Sequence, residues 1–101
     1  MKLKPGVTVQ DMNWRMWHVS LVAEPLFLKH GSELVITSTK EKAPGRVVNS
    51  LHYKGLAIDF RIWHVKDLKD LAEKLRKALG RGYDVVIKKN HLHVEYDNAD
   101  G

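Results

Sequence analysis

The chain has 101 residues, of which 44% are hydrophobic, so it has the size of one domain and enough apolar side chains to bury a core. It contains no cysteine, which excludes disulfide bonds and thiolate metal sites; any metal must be bound by histidine and carboxylate side chains. The net charge of +5 favours polyanionic surroundings, although many of the cations fall on the solvated face of a predicted helix.

The N-terminus is basic, but no apolar segment follows it, and no apolar run approaches the ~20 residues that a membrane-spanning helix needs. We therefore expect a soluble protein of a single domain, residues 1–101, without a signal peptide.

The first predicted helix follows residues 1–10, which we expect to be extended or loosely packed. Asp11 is a suitable N-cap, and Pro25 should end or kink the helix. Apolar residues recur at helical spacing in between, namely Trp14, Trp17, Leu21 and Val22. We expect Trp14, Trp17 and Trp63 to pack in the core or at its rim.

Two strands and a loop follow. Residues 33–38 are rich in β-branched types and predict a strand. Residues 39–50 begin with polar side chains and contain Pro44-Gly45, which indicates a loop, and its length favours a functional one. Residues 56–63 predict the second strand.

The clearest helix begins after Asp67, a good N-cap, and ends at Gly80 or Gly82. Its apolar stripe consists of Leu68, Leu71, Ala72, Leu75, Ala78 and Leu79. Residues 83–88 and 91–96 then predict two strands around a turn at Lys89-Asn90. The order of elements predicts an α+β fold, with two main helices packed on a small, mostly antiparallel sheet.

The last strand carries the first candidate for chemistry. Because side chains alternate along a strand, His91, His93 and Glu95 share one face, opposite Leu92 and Val94. Two imidazoles and a carboxylate on one face are ligands of the kind that zinc prefers.

A second pair of candidate ligands lies just before the predicted strand at 56–63 and within it. His52 lies at the end of the loop and Asp59 within the strand, while the small residues Gly55 and Ala57 leave room for a turn and for close approach of the backbone. His52, Asp59 and His93 make three protein ligands, the number that catalytic zinc sites commonly use before water takes the fourth position.

Together the two segments resemble a known family. They read Ser50-Leu-His52-Tyr-Lys-Gly55-Leu-Ala57-Ile-Asp59 and His91-Leu-His93. In this order they resemble the D-Ala-D-Ala carboxypeptidase group of zinc metallopeptidases, which includes phage and prophage cell-wall peptidases and belongs to one clan with lysostaphin-type endopeptidases and the hedgehog domain. The resemblance covers roughly residues 33–97.

The resemblance implies a hedgehog/DD-peptidase-like fold and zinc-dependent hydrolysis of amide bonds in peptidoglycan stem or cross-link peptides. It makes His52, Asp59 and His93 the zinc ligands. His91 becomes a catalytic histidine beside the metal, and Ser50 a residue near the substrate. Zinc activates water and polarises the scissile carbonyl in such sites.

Arg61 is two residues beyond Asp59 and should share its face. Either a salt bridge to a neighbouring carboxylate or a contact with substrate is compatible with this position. His18, His30 and His64 lack such surroundings, and we expect ordinary surface or core roles for them.

The chain departs from the family at one point. Relatives often carry a glutamate just ahead of the His-x-His as general base, whereas here that stretch is Ile87-Lys88-Lys89-Asn90. Glu95 instead follows the motif and can orient His93 as its hydrogen-bond partner. Either His91 serves as the base, or the domain binds zinc and peptide without turning substrate over.

The resemblance also indicates partners and place of action. We expect a monomer that acts on peptidoglycan peptides and binds neither nucleic acid nor membrane; basic and aromatic residues do not interleave as they would in a nucleic-acid platform. Without a signal peptide, a phage or prophage protein of this kind stays in the cytoplasm until its release and then acts on the cell wall.

Overall fold

The computed structural model describes residues 1–8, 12–39 and 55–97. These residues form an α+β unit of two helices and a five-stranded mixed sheet. The helices are α1 (Trp14–Lys29) and α2 (Leu68–Leu79). The strands are β1 (Lys2–Leu3), β2 (Val35–Ser38), β3 (Ala57–Arg61), β4 (Tyr83–Ile87) and β5 (His91–Tyr96). The α+β class and the mostly antiparallel sheet are confirmed.

The strands lie in the order β1-β2-β3-β5-β4, and every neighbouring pair is antiparallel except β1 with β2. β1 was not predicted. It has only two residues, Lys2 and Leu3, which pair with Val35 and Ile36. A strand of two residues leaves no periodic pattern in the sequence, so only its pairing with β2 in the structure identifies it.

The core lies between the helices and one face of the sheet. Ile58 and Phe60 of β3 and Leu92 and Val94 of β5 are all fully buried there. α1 contacts this face through Phe27, whose ring meets that of Phe60 edge-on at 5.5 Å between centroids. Because side chains alternate, the same strands present their polar residues on the opposite face, which we call the outer face.

α2 begins and ends as predicted. The Asp67 side chain accepts a hydrogen bond from the backbone N–H of Asp70, and Gly80 ends the helix with a φ of 81°, which favours glycine. The start of α2 is also tied to the end of α1, because His30 Nε2 lies 2.9 Å from an Asp70 carboxylate oxygen. His30 is therefore a structural histidine, as expected.

α1 continues past Pro25, so of the two predicted effects, an end or a kink of the helix, the end was wrong. Proline removes the backbone donor that would bond the carbonyl of Leu21. Leu21 is 65% exposed, so water can take that place, and fully buried Phe27 anchors the last turn. The N-cap is Asn13, whose side chain accepts from the N–H of Arg15 at 2.9 Å; Asp11 lies outside the described residues.

The buried face of α1 also differs from the predicted one. Met16, Val19, Ala23 and Phe27 point into the core. Trp14, Trp17 and Trp63 are 64%, 38% and 68% exposed, so the core part of the expectation of core or rim packing was wrong for all three. α1 carries apolar residues on two faces, and spacing alone does not tell which face meets the sheet.

We expect Phe27→Ala to lower the free energy of unfolding by about 3–5 kcal/mol, because it empties a closely packed site. The neighbouring residue supplies the control: Leu28 is 61% exposed, and Leu28→Ala should change stability by no more than about 0.5 kcal/mol. Urea unfolding of both variants measures the difference. Similar losses in the two would mean that the last turn of α1 does not pack as described.

Candidate metal centre

The pairing of β3 with β5 brings the two sequence segments together. In their register, Asp59 lies opposite His93, Arg61 opposite His91 and Ala57 opposite Glu95. Directly opposed residues of an antiparallel pair have their Cα atoms about 4.5–5.5 Å apart, on the same face of the sheet. Residues thirty or more positions apart in the chain thus become neighbours on the outer face.

Asp59 is the centre of this group. Its Oδ1 lies 2.7 Å from Nδ1 of His93, and its Oδ2 lies 3.6 Å from Nε2 of His91. Asp59, His91 and His93 each offer a ligand atom, and these atoms lie within 4.8 Å of one another. Two ligands bound at about 2.1 Å in a tetrahedral site lie about 3.4 Å apart. The group can therefore hold a metal ion after small side-chain shifts.

Glu95 contacts the far side of the same imidazole. Its Oε1 lies 2.8 Å from Nε2 of His93, two residues earlier on the strand. A carboxylate that binds one nitrogen of a histidine fixes the ring and directs the other nitrogen towards a metal. The orienting role expected for Glu95 matches this geometry, because Nδ1 of His93 is directed at Asp59.

Burial and hydrogen bonding have opposite effects on the pKa of His93. Asp59 is only 8% exposed, although it lies on the outer face. Burial by itself lowers the pKa of His93, but the hydrogen bonds with Asp59 and Glu95 act against it, and the net result is a pKa above the ordinary value. The imidazolium form of His93 donates to both carboxylates, and a metal ion that takes Nδ1 displaces its proton.

His91 belongs to the group more closely than the sequence indicated. Its Nδ1 lies 2.6 Å from the side-chain oxygen of Asn90, which fixes the ring from the solvent side, and its Nε2 points towards Asp59. From the family resemblance, His91 was predicted to be a catalytic residue beside the metal. The geometry makes it a candidate ligand as well, and the alternation of β5 is the signal that places it there.

The other predicted site residues either lie outside this group or are not among the described residues. His52 and Ser50 lie outside the described residues, so their predicted roles stay predictions. Gly55 has a φ of 74°, as expected for a turn before β3. Arg61 forms no salt bridge with a described carboxylate, and its guanidinium stacks on Trp63 at 4.0 Å from the ring centroid. Among the described residues, its buried Nε has no hydrogen-bond partner.

No family model, curated protein or solved structure matches this chain. The resemblance to cell-wall peptidases therefore rests on the two motifs and remains a prediction. Neither described helix combines the length and the apolar character that crossing a lipid bilayer requires.

We expect Glu95→Gln to weaken metal binding by about 10- to 100-fold, because the amide cannot hold His93 as a carboxylate does. Asp84 is exposed and lies opposite Glu95 on β4, so Asp84→Asn removes a nearby negative charge without touching His93. Calorimetric titration of both variants with a divalent metal makes the comparison. Equal affinities would show that Glu95 does not orient the ligand.

Proposed function

We propose that the protein is a zinc-dependent peptidase that hydrolyses amide bonds in the stem or cross-link peptides of peptidoglycan. The observation that carries this proposal is the direct pairing of Asp59 with His93. These are two of the three residues that match the family's zinc ligands, and they come from the two separate motifs. The third is His52.

The set of donors favours zinc. Imidazole and carboxylate groups are its usual ligands when cysteine is absent, and three protein ligands leave a position open for water. When bound, zinc supplies a Lewis acid that activates water and polarises a carbonyl group. The resemblance to zinc peptidases, and not the geometry alone, selects this metal among divalent ions.

His91 and Glu95 are the groups of the described chain that can hold or move a proton here. Glu95 already accepts from His93 at 2.8 Å, so its carboxylate is committed to orienting that ring. His91 has one nitrogen on Asn90 and the other facing the metal site, and neutral imidazole can accept a proton from water. We therefore assign the role of general base to His91 with His52 as the third ligand, since a His91 bound to the metal through Nε2 has no nitrogen left to accept a proton.

The setting of the reaction follows from the same proposal. A net charge of +5 attracts the protein to the anionic polymers of a bacterial wall. We infer a phage or prophage enzyme that reaches the wall on lysis and acts as a monomer.

We expect the purified protein to contain a single zinc ion per chain, and His93→Ala to lose it, because that substitution removes a ligand. His18 is an exposed histidine of α1 and does not belong to the metal group of Asp59, His91 and His93, so His18→Ala serves as the matched control. Plasma mass spectrometry of the three proteins measures the metal. Full zinc occupancy in His93→Ala would contradict the ligand assignment.

We expect the zinc-loaded protein to release amino acids or peptide fragments from purified muropeptides. Chelation should abolish the release and added zinc should restore it, since the activation of water depends on the metal. Chromatography with mass spectrometry identifies the bond that is cleaved. Release that continues after complete removal of the metal would argue against a metallopeptidase.

A zinc- and peptide-binding domain without catalysis is the second candidate. It is favoured by the absence of a carboxylate at positions 87–90, where relatives often have their general base. Lys88 occupies this stretch as an exposed residue, and its N–H donates to the carbonyl of His91 at 2.9 Å, which keeps the segment beside the metal group.

The two candidates differ in their response to a restored glutamate. If only the base is missing, Lys88→Glu should create hydrolysis, with a gain of about 100- to 10,000-fold over the parent, because position 88 is hydrogen-bonded to His91 on the outer face. Ile87 lies opposite the core residue Leu92, so Ile87→Glu places its carboxylate on the other face and should give no gain; Lys88→Gln is the neutral control. Activity in the parent that Lys88→Glu does not increase would support His91 as the base, while an inactive parent with an active Lys88→Glu variant would support the second candidate.

A further inference from the structure

β4 lies at the end of the sheet and has one edge that no described strand covers. It pairs with β5 on one side, and within residues 1–8, 12–39 and 55–97 no strand pairs with it on the other. Its sequence, Tyr-Asp-Val-Val-Ile, is rich in residues that favour strands, and Val86 and Ile87 are 38% and 37% exposed. An open edge of this kind is a surface on which another extended chain can pair.

The hydrogen bonds between β4 and β5 show which backbone groups face the open edge. The N–H of Lys88 donates to the carbonyl of His91, and the N–H of Asp97 donates to the carbonyl of Gly82, both at 2.9 Å. Because bonding alternates along an antiparallel pair, the even-numbered residues of β4 bond to β5. The backbone groups of the odd-numbered residues therefore point to the open edge, namely those of Tyr83, Val85 and Ile87.

Arg76 of α2 covers the middle of this edge. Its Nε and Nη2 atoms both donate to the carbonyl oxygen of Val85, at 3.1 and 2.8 Å. Two donors on one acceptor hold the guanidinium group in place, and this group is always charged. The outward carbonyl of Val85 is thus already occupied, and a permanent positive charge lies where a further strand would have to pair.

A second copy of the chain is the extended partner that fits the edge best. If β4 paired with itself in antiparallel fashion about Val85, Tyr83 would lie opposite Ile87 of the second copy and Asp84 opposite Val86. No two like charges of β4 are directly opposed in this arrangement. The edge is therefore self-complementary except at its centre, where the Arg76 guanidinium groups of the two copies would meet at the two-fold axis. Like charges brought together in this way oppose association.

We propose that Arg76 prevents β4 from pairing with a second copy of this chain, through its double hydrogen bond to Val85 and its charge, and thereby keeps the protein monomeric. The inference concerns association alone and does not depend on the proposed peptidase activity. It also bears on access to the outer face. Because β4 lies beside β5, a second copy on this edge would extend the sheet next to His91 and His93.

Sedimentation of the full-length protein over a range of concentrations tests the inference. The variants are Arg76→Met, which has neither the charge nor the donors, and Arg76→Gln, which keeps a donor without the charge. Both are good helix formers, and urea unfolding checks that each variant is folded. Lys69→Met is the matched control, because it removes an exposed charge from the same helix.

We expect the wild type and Lys69→Met to sediment as monomers. Arg76→Met should dimerise with a dissociation constant about 10-fold or more below that of the wild type, because no like charges then meet at the axis. Arg76→Gln should lie between the two.

A second substitution identifies the surface that the dimer uses. Ile87→Pro removes one outward N–H and leaves the hydrogen bonds to β5 intact, so adding it to Arg76→Met should restore the monomer. In the dimer of Arg76→Met, amide hydrogen exchange measured by NMR should slow at Tyr83, Val85 and Ile87, whose N–H groups become paired.

Monomers in both Arg76→Met and Arg76→Gln at every concentration overturn the inference. So does equal association of Lys69→Met, which would reflect net charge alone. A dimer of Arg76→Met that Ile87→Pro does not reverse, without slower exchange at the outward amides, also overturns it, because association would then use another surface.

Discussion

The register between β3 and β5 decides both the core and the candidate site. With Asp59 opposite His93, the side chains of Ile58, Phe60, Leu92 and Val94 all enter the core. A slip of one residue would turn these apolar groups to the outer face and bury the ionisable ones. Burial of four such side chains is worth roughly 1.5–3 kcal/mol each, so the packing that stabilises the domain also holds the polar face in one arrangement.

Charge balance gives the outer face its chemical character. Asp59 and Glu95 flank the imidazole of His93, and their hydrogen bonds raise its pKa although burial opposes this. In its protonated form, His93 compensates the charge of the two carboxylates that it contacts. A divalent cation can take over that compensation, and the released proton makes binding dependent on pH. Such a group can replace the proton on His93 by a metal ion and still keep a positive charge beside the buried carboxylate of Asp59.

The elements with strong periodicity were predictable from sequence. α2 has a cap, a stripe and a terminating glycine, and the alternation of β5 correctly placed His91, His93 and Glu95 on one face. The errors arise where tertiary contacts decide. α1 is apolar on two faces, so Trp14 was assigned wrongly to the buried one. Pro25 is tolerated inside the helix because the hydrogen bond that it removes lies on a solvent-facing turn. β1 forms only as a partner of β2. The role of His52 remains a prediction from the motif.

The outer face also combines two regions of opposite charge. The metal group contributes the carboxylates of Asp59 and Glu95, while a neighbouring groove presents Arg61 and Lys4. Arg61 opposite His91 fixes the distance between these regions through the backbone of two paired strands. Since strands are more rigid than loops, this pairing keeps the two charged regions at a fixed spacing.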